Sequence, residues 1–195
     1  MAEKGPLALV EQMAAIFEDL GVPYALGGSM ASSLLGEPRS TVDVDMAVRL
    51  GVEAGEALLE RVAADFYVPV ESARQAIRAH SSFNLIDTAS ALKVDIFVVG
   101  DGLLDRMQIE RRVFIGLPSA SGGIWVTSAE DQVLRKLDWF RQGGAVSDRQ
   151  WRDVVGILRV HGGSMELAYL TTSATTLGLN ASLDAALGQA GLPDS

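Results

Sequence analysis

Residues Gly27 to Asp45 read GGSMASSLLGEPRSTVDVD. The stretch leaves a short apolar run, Val22 to Leu26, through a glycine-rich turn. It continues as a short helix, Met30 to Leu35, closed by Gly36, and a polar loop, Glu37 to Thr41. It ends on a strand, Val42 to Val48, that carries Asp43 and Asp45. Residues two apart on a strand share a face, so the two carboxylates emerge on one side. Val42, Val44, Met46 and Val48 point the other way, as a core face. Close carboxylates repel by a few kcal/mol at an effective dielectric of about 20, a cost that a divalent cation between them would remove. The backbone N–H groups at the helix start after Gly28, with the Ser29 hydroxyl, suit phosphate oxygens. A phosphate cradle facing an acid pair is chemistry suited to nucleotides; a solvated strand face is the plainer reading of the acids alone.

Composition narrows the chemistry. The chain has 195 residues, 48% of them hydrophobic, enough for one domain or a core with a small helical appendage. It contains no cysteine, which excludes disulfides, thiolate zinc sites and a cysteine nucleophile. The two histidines, His80 and His161, read as a surface and a helix-end residue. A metal site must therefore use oxygen ligands, which favours Mg²⁺ or Mn²⁺. The net charge of −9 argues against strong general affinity for a nucleic-acid backbone, though not against a local basic groove. No apolar run reaches membrane-spanning length, and MAEKGPLAL lacks a basic segment followed by an apolar one. A cytoplasmic protein without a membrane partner is expected.

Helical spacing of Leu7, Val10, Met13, Ala14, Phe17 and Leu20 predicts an amphipathic helix ending at Gly21. Pro23 marks Val22–Leu26 as an edge strand or as a strand beginning there. Helices are predicted over Val52–Phe66 and Glu71–Ala79, then strands over Phe83–Asp87 and Leu92–Val99. Leu103–Glu110 is ambiguous. Short strands, Arg112–Ile115 and Ile124–Val126, flank a loop, Pro118–Gly123. From residue 127 the pattern is helical: a capping box Thr127/Glu130 opens a helix to about Arg141, and Ser147/Gln150 opens one to His161. Leu167–Leu177 and Ala181–Ala190 complete the chain, with the polar TTSATT the weakest helical signal. The pattern is α/β (α+β): a mixed β-sheet on helices with a C-terminal helical segment. The expected division is 1–126, an α/β core, and 127–195, a helical region packed on it.

Asp95 lies inside the apolar strand LKVDIFVV, where a charge needs a partner. It is either one half of a surface pair with Lys93 on an edge strand or a third acid joining Asp43 and Asp45. Three such carboxylates would bind two Mg²⁺ and support in-line phosphoryl transfer, with Asp95 as base on the attacking hydroxyl. Lys136 shares a helix face with Val133, Leu137 and Phe140, so it snorkels or aims into a pocket, where it would compensate phosphate charge. Arg39 is a solvated loop arginine or a phosphate contact. Asp148 and Arg152 read as an i,i+4 ion pair.

Taken together these residues resemble the nucleotidyltransferase superfamily of the DNA polymerase β type, whose pattern is G-[GS], about a dozen residues, D-x-[DE], then a third acid on a later strand. Here it reads Gly28-Ser29, thirteen residues, Asp43-Val44-Asp45, then Asp95. RSTVDVD, KVD, TSAEDQVLRKLDWFRQGG and SDRQWRDVVGIL more narrowly resemble small bacterial nucleotidyltransferase-like proteins, including the AbiEii and MenA type toxins. The resemblance covers about residues 22–161; TTSATTLGLN is more polar than it leads one to expect, and no obvious acceptor-binding domain is present. It implies a nucleotidyltransferase core, with catalytic and metal residues Asp43, Asp45 and Asp95. Gly28, Ser29, Arg39, Lys93 and Lys136 would bind the nucleotide, and Asp148 or Asp153 would supply a further site acid. It further implies NMP transfer from an NTP, with pyrophosphate released. The acceptor would be tRNA, if the protein is a toxin paired with an antitoxin, or a small molecule such as a cationic antibiotic. A tRNA acceptor needs a basic patch, for which Lys4, Arg39, Arg74, Arg78, Arg111 and Arg112 are available. A non-catalytic nucleotide-binding or interaction protein on the same fold is the alternative of a different class.

Overall fold

A computed structural model describes residues 5–117 and 122–192. The chain divides into two compact units: Met1–Met30 with Thr41–Thr127, and Ala31–Ser40 with Ser128–Ser195. Lys4 and Pro118–Ser121 lie outside the described residues.

The first unit is built on a mixed sheet. Helix α1 (Pro6–Asp19) begins on a proline, whose missing N–H costs nothing at that position. It buries Leu9, Val10, Met13, Phe17 and their neighbours, and Gly21 turns the chain at φ +65°. Next come β1 (Tyr24–Leu26), α2 (Gly28–Leu35), β2 (Val44–Val48), α3 (Val52–Val62), β3 (Phe66–Tyr67) and α4 (Val70–Arg78). They are followed by β4 (Ser82–Asp87), β5 (Lys93–Val98), α5 (Leu103–Glu110), β6 (Val113–Gly116) and β7 (Gly123–Val126). The strand order is β3-β4-β5-β2-β1-β7-β6. β2 runs parallel to β5 and β1 to β7; the remaining neighbours are antiparallel.

Burial alternates along the strands. Val44, Met46, Val48, Val94, Ile96, Val98, Phe83 and Leu85 form one buried face, and Asn84, Lys93, Asp95 and Phe97 stand on the other. Two expectations change, and two left open are decided. Val42 is 63% exposed because the strand begins two residues later, at Val44. Phe66 leaves the predicted helix to pair with Asp87 in a two-residue strand that only long-range pairing creates. Leu103–Glu110 is helical. β1 and β5 are interior strands, so Pro23 stands immediately before its strand, where its missing N–H breaks no ladder, and the Lys93–Asp95 pair is not on an edge.

The second unit contains α6 (Ala129–Gln142), α7 (Asp148–His161), α8 (Leu167–Leu177) and α9 (Asn180–Ala190). Residues 31–40, the later part of α2 and its following loop, group with these helices. A Cβ at Gly36 would stand 3.0 Å from the Ile157 backbone nitrogen, so the chain passes α7 closely there. The cap of α6 is Ser128, one residue later than expected: its Oγ accepts from the Asp131 N–H at 3.1 Å and donates to Asp131 Oδ2 at 2.8 Å. Thr127 is still held to the sheet, its N–H bonding Leu26 O at 3.0 Å, and the helix starts beyond it. Ser147 does cap α7, accepting from the Gln150 N–H at 3.4 Å. TTSATT is helical; Thr175 and Thr176 turn their hydroxyls back onto the carbonyls of Thr171 and Thr172, which hides their polarity inside the helix. Among the described residues no helix is long and apolar enough to cross a membrane.

The register makes a direct prediction. Ile96→Ala, at a fully buried position on β5, should cost about 2–5 kcal/mol in urea unfolding. Asn84→Ala, on the opposite and exposed face, should stay within about 0.5 kcal/mol.

Candidate active site

Asp45 is paired with Asp95 in the parallel ladder of β2 and β5. Paired residues on neighbouring strands stand on one face about 4.8 Å apart at the backbone, so these two carboxylates, fifty positions apart in the chain, become neighbours. Asp43 precedes β2 by one residue and is exposed. Asn84 on β4 pairs with Asp95 from the other side. The interior of the sheet thus carries a row Asn84, Asp95, Asp45.

The glycine-rich turn meets this row at Asp45. Gly27 donates its N–H to Asp45 O at 2.9 Å. Gly28 has φ +59°, and a Cβ built on it would lie 1.9 Å from Asp45 Oδ2. Only glycine satisfies both the left-handed backbone and that approach. α2 begins at Gly28, so Ser29 stands in its first turn, with backbone N–H groups that have no intrahelical acceptor.

A cation already attends the carboxylates. Lys93 Nζ lies 2.7 Å from Asp95 Oδ2. That hydrogen bond raises the lysine's affinity for its proton, against slight desolvation, and the charges of Asp95, Asp43 and Asp45 all act in the same direction. One ammonium therefore senses all three aspartates. Among the described residues, no three carboxylate or imidazole groups stand close enough together, as the side chains are placed, to hold a metal ion. In kind, however, the donor set fits a hard divalent cation: oxygen ligands with no thiolate among them.

The second unit holds its own charge cluster. Asp153 accepts from Arg39 Nε and Nη2, both at 2.9 Å, and from Lys136 Nζ at 2.7 Å. Lys136 and Asp153 are almost fully buried, with side-chain exposures of 2% and 7%. Burial pushes the Asp153 carboxyl up, but the hydrogen bonds from Arg39 and Lys136 outweigh it and hold it below the usual carboxylate range. So the lysine on the packed face of α6 neither snorkels nor stands alone. A buried ammonium demanded a partner, and α7 supplies it seventeen residues on. Arg152 reaches the backbone carbonyl of Asp148 at 3.4 Å, where an ion pair was expected.

The other arginines considered for a basic patch are engaged locally. Arg74 holds Glu56 at 2.8 Å and Glu71 at 3.4 Å, and Arg78 donates to Arg74 O. Arg112 lies over the Trp125 ring and donates to Ile109 O. His80 bonds Val99 O through Nδ1, a structural role, and His161 closes α7.

No protein-family description matches the chain, and no curated protein matches it in sequence. Solved structures do. An antigenic nucleotidyltransferase-like protein from Paracoccidioides brasiliensis superposes with a TM-score of 0.55 at 19% identity, over 93% of this chain and 91% of that one. The antibiotic-resistance factor ANT(2'')-Ia superposes with a TM-score of 0.52 at 13% identity, over 88% of this chain and 92% of that one.

The fold is nucleotidyltransferase-like.

Within this nucleotidyltransferase fold, the structure brings together Gly28, Asp45, Asp95 and Lys93, with Asp43 in electrostatic reach. Arg39 and Lys136 meet at Asp153. Sequence reasoning left the role of Asp153 open and passed over Asn84. Asp153 could have been found by asking what neutralises Lys136; Asn84 follows from the alternation in SFNLID only once the β4–β5 register is known.

Two outcomes test these clusters. Gly28→Ala should destabilise the fold by more than about 1 kcal/mol in chemical denaturation, because it strains the turn and drives a methyl group into Asp45. Asp153→Ala should cost about 3–5 kcal/mol by removing the carboxylate that the buried Lys136 ammonium and Arg39 share. With its folded pKa lowered, Asp153 contributes stability above the unfolded value of about 4, and that stability is lost as pH falls through the folded one. Asp153→Asn should therefore be less stable at neutral pH and lose less stability as the pH falls below the ordinary carboxylate range.

Proposed function

We propose that this protein transfers NMP from an NTP to a hydroxyl-bearing acceptor. The observation that supports this best is the in-register pairing of Asp45 with Asp95, with Gly28 closed onto the Asp45 carboxylate. In this reading Gly28 and Ser29, at the N-terminus of α2, take phosphate oxygens of the nucleotide through their backbone N–H groups. Asp95 accepts the proton of the acceptor hydroxyl. The hydroxyl oxygen forms its bond to the α-phosphorus as the bond from that phosphorus to the bridging oxygen of the β-phosphate breaks, and pyrophosphate leaves with the electron pair. Asp43, Asp45 and Asp95 are the residues that would hold Mg²⁺ or Mn²⁺, which when bound would supply positive charge to the phosphates. Lys93 would then yield its place on Asp95, and until then it offsets the repulsion between neighbouring carboxylates.

The acceptor follows from charge. With a net charge of −9, and with Arg39, Arg74 and Arg112 already engaged, a cationic or neutral small molecule suits the protein better than a polyanion. The likeness to an antibiotic-resistance factor is compatible with that. A toxin acting on tRNA with an antitoxin partner is the second reading; it rests on the sequence resemblance to AbiEii and MenA type proteins.

The test is incubation with each labelled NTP, Mg²⁺ and cell extract, followed by separation into RNA, protein and small-molecule fractions. Label should enter the small-molecule fraction, and Asp95→Asn should abolish it while leaving the thermal midpoint unchanged or raised. Label in RNA would favour the toxin reading. Label in no fraction, with no Mg²⁺-dependent NTP binding by calorimetry, would leave a non-catalytic protein on this fold.

A further inference from the structure

Within the second unit, a cavity of about 340 Å³ is lined by Arg39, Arg149, Arg152, Ser32, Glu37 and Asp153, together with Pro38. Its charged lining carries three guanidinium groups against two carboxylates, a local excess of positive charge in a chain whose net charge is −9. Asp153 is shared between Arg39 and Lys136, so that carboxylate neutralises only one of the two. Glu37 is turned partly to Arg159, at 3.6 Å.

The arginines also sit where a helix least favours them. Arg149 and Arg152 fall in the first five residues of α7, after the Ser147 cap, where the helix already presents partial positive charge. Asp148 offsets part of this. Cations gathered at a helix N-terminus raise the local potential, and an anion seated there would lower it. Guanidinium forks match phosphate oxygens in geometry as well as charge. The volume is at the small end of ligand cavities, suited to a phosphate group or a pyrophosphate and not to a whole nucleotide.

We infer that this cavity is a phosphate-binding site, with Arg149 and Arg152 as its recognition residues. The chemistry is that of a phosphomonoester or diphosphate. Its source is either the nucleotide or its pyrophosphate product, or a terminal phosphate on the acceptor; only this assignment of source rests on the transferase reading.

The experiment is calorimetric titration of the full chain with inorganic pyrophosphate, without divalent metal and at low salt. Wild type should bind saturably. Arg149→Glu/Arg152→Glu should weaken binding roughly tenfold or more, and Arg149→Lys/Arg152→Lys should fall between, since charge survives and the fork does not. Both positions are exposed, so circular dichroism should remain that of wild type. Arg74→Glu, a charge reversal on α4, should change binding less than about twofold. Displacement of pyrophosphate by ATP identifies the nucleotide as source. Displacement by a 5′-phosphorylated dinucleotide, but neither by ATP nor by the same dinucleotide without phosphate, identifies the acceptor. No binding by wild type, equal binding by the double glutamate variant, or displacement by chloride and sulfate as readily as by either probe would overturn the assignment. The titration needs neither divalent metal nor acceptor, so failure of NMP transfer and failure of this site are separate results.

Discussion

The parallel pairing of β2 with β5 is the constraint on which the candidate active site depends. It places two carboxylates side by side, a juxtaposition that costs roughly 3 kcal/mol at an effective dielectric of about 20 if both stay ionised and unscreened. Three features bear on that cost. Lys93, on the same strand face as Asp95, supplies an ammonium at 2.7 Å. The face is partly open to water, with the Asp95 side chain 15% exposed. The opposite face of both strands is wholly apolar, so a one-residue slip would bury both acids and expose six aliphatic side chains. The hydrophobic face thus holds the register, and the register holds the acids together.

Gly28 connects this sheet to the helix that follows. Its missing Cβ allows the turn to close on Asp45, and α2 starts there with its first backbone N–H groups beside a carboxylate. In the proposed reaction the same closeness would bring phosphate oxygens next to the acids. A glycine is thereby tied to chemistry through space, and not merely through the flexibility of a turn.

The helical unit solves a different electrostatic problem. Lys136 is buried among Val133, Leu134 and Leu137, and a buried ammonium without a partner would be prohibitive. Asp153 and Arg39 answer it, and the cluster joins the loop after α2 to α6 and α7. Such a network is weak evidence for net stability, since hydrophobic replacements of similar volume are often as stable. Two of its members, Arg39 and Asp153, also line the arginine-rich cavity.

Much of this was legible in the chain. Periodicity marked most helices and strands, because burial repeats at 3.6 or 2 residues whatever the partner is. The spacing Gly28-Ser29, Asp43, Asp45 and the carboxylate Asp95 inside LKVDIFVV marked the acids, because a charge in an apolar strand has to be answered. What pattern could not supply was pairing across the chain. The two-residue strand at Phe66, the interior position of β5, the shift of the helix cap from Thr127 to Ser128, and the bond between Lys136 and Asp153 each depend on a partner distant in sequence. Local sequence determined which residues must be buried and which must be compensated; only the tertiary structure decided by whom, because burial is a property of one residue and compensation a property of two.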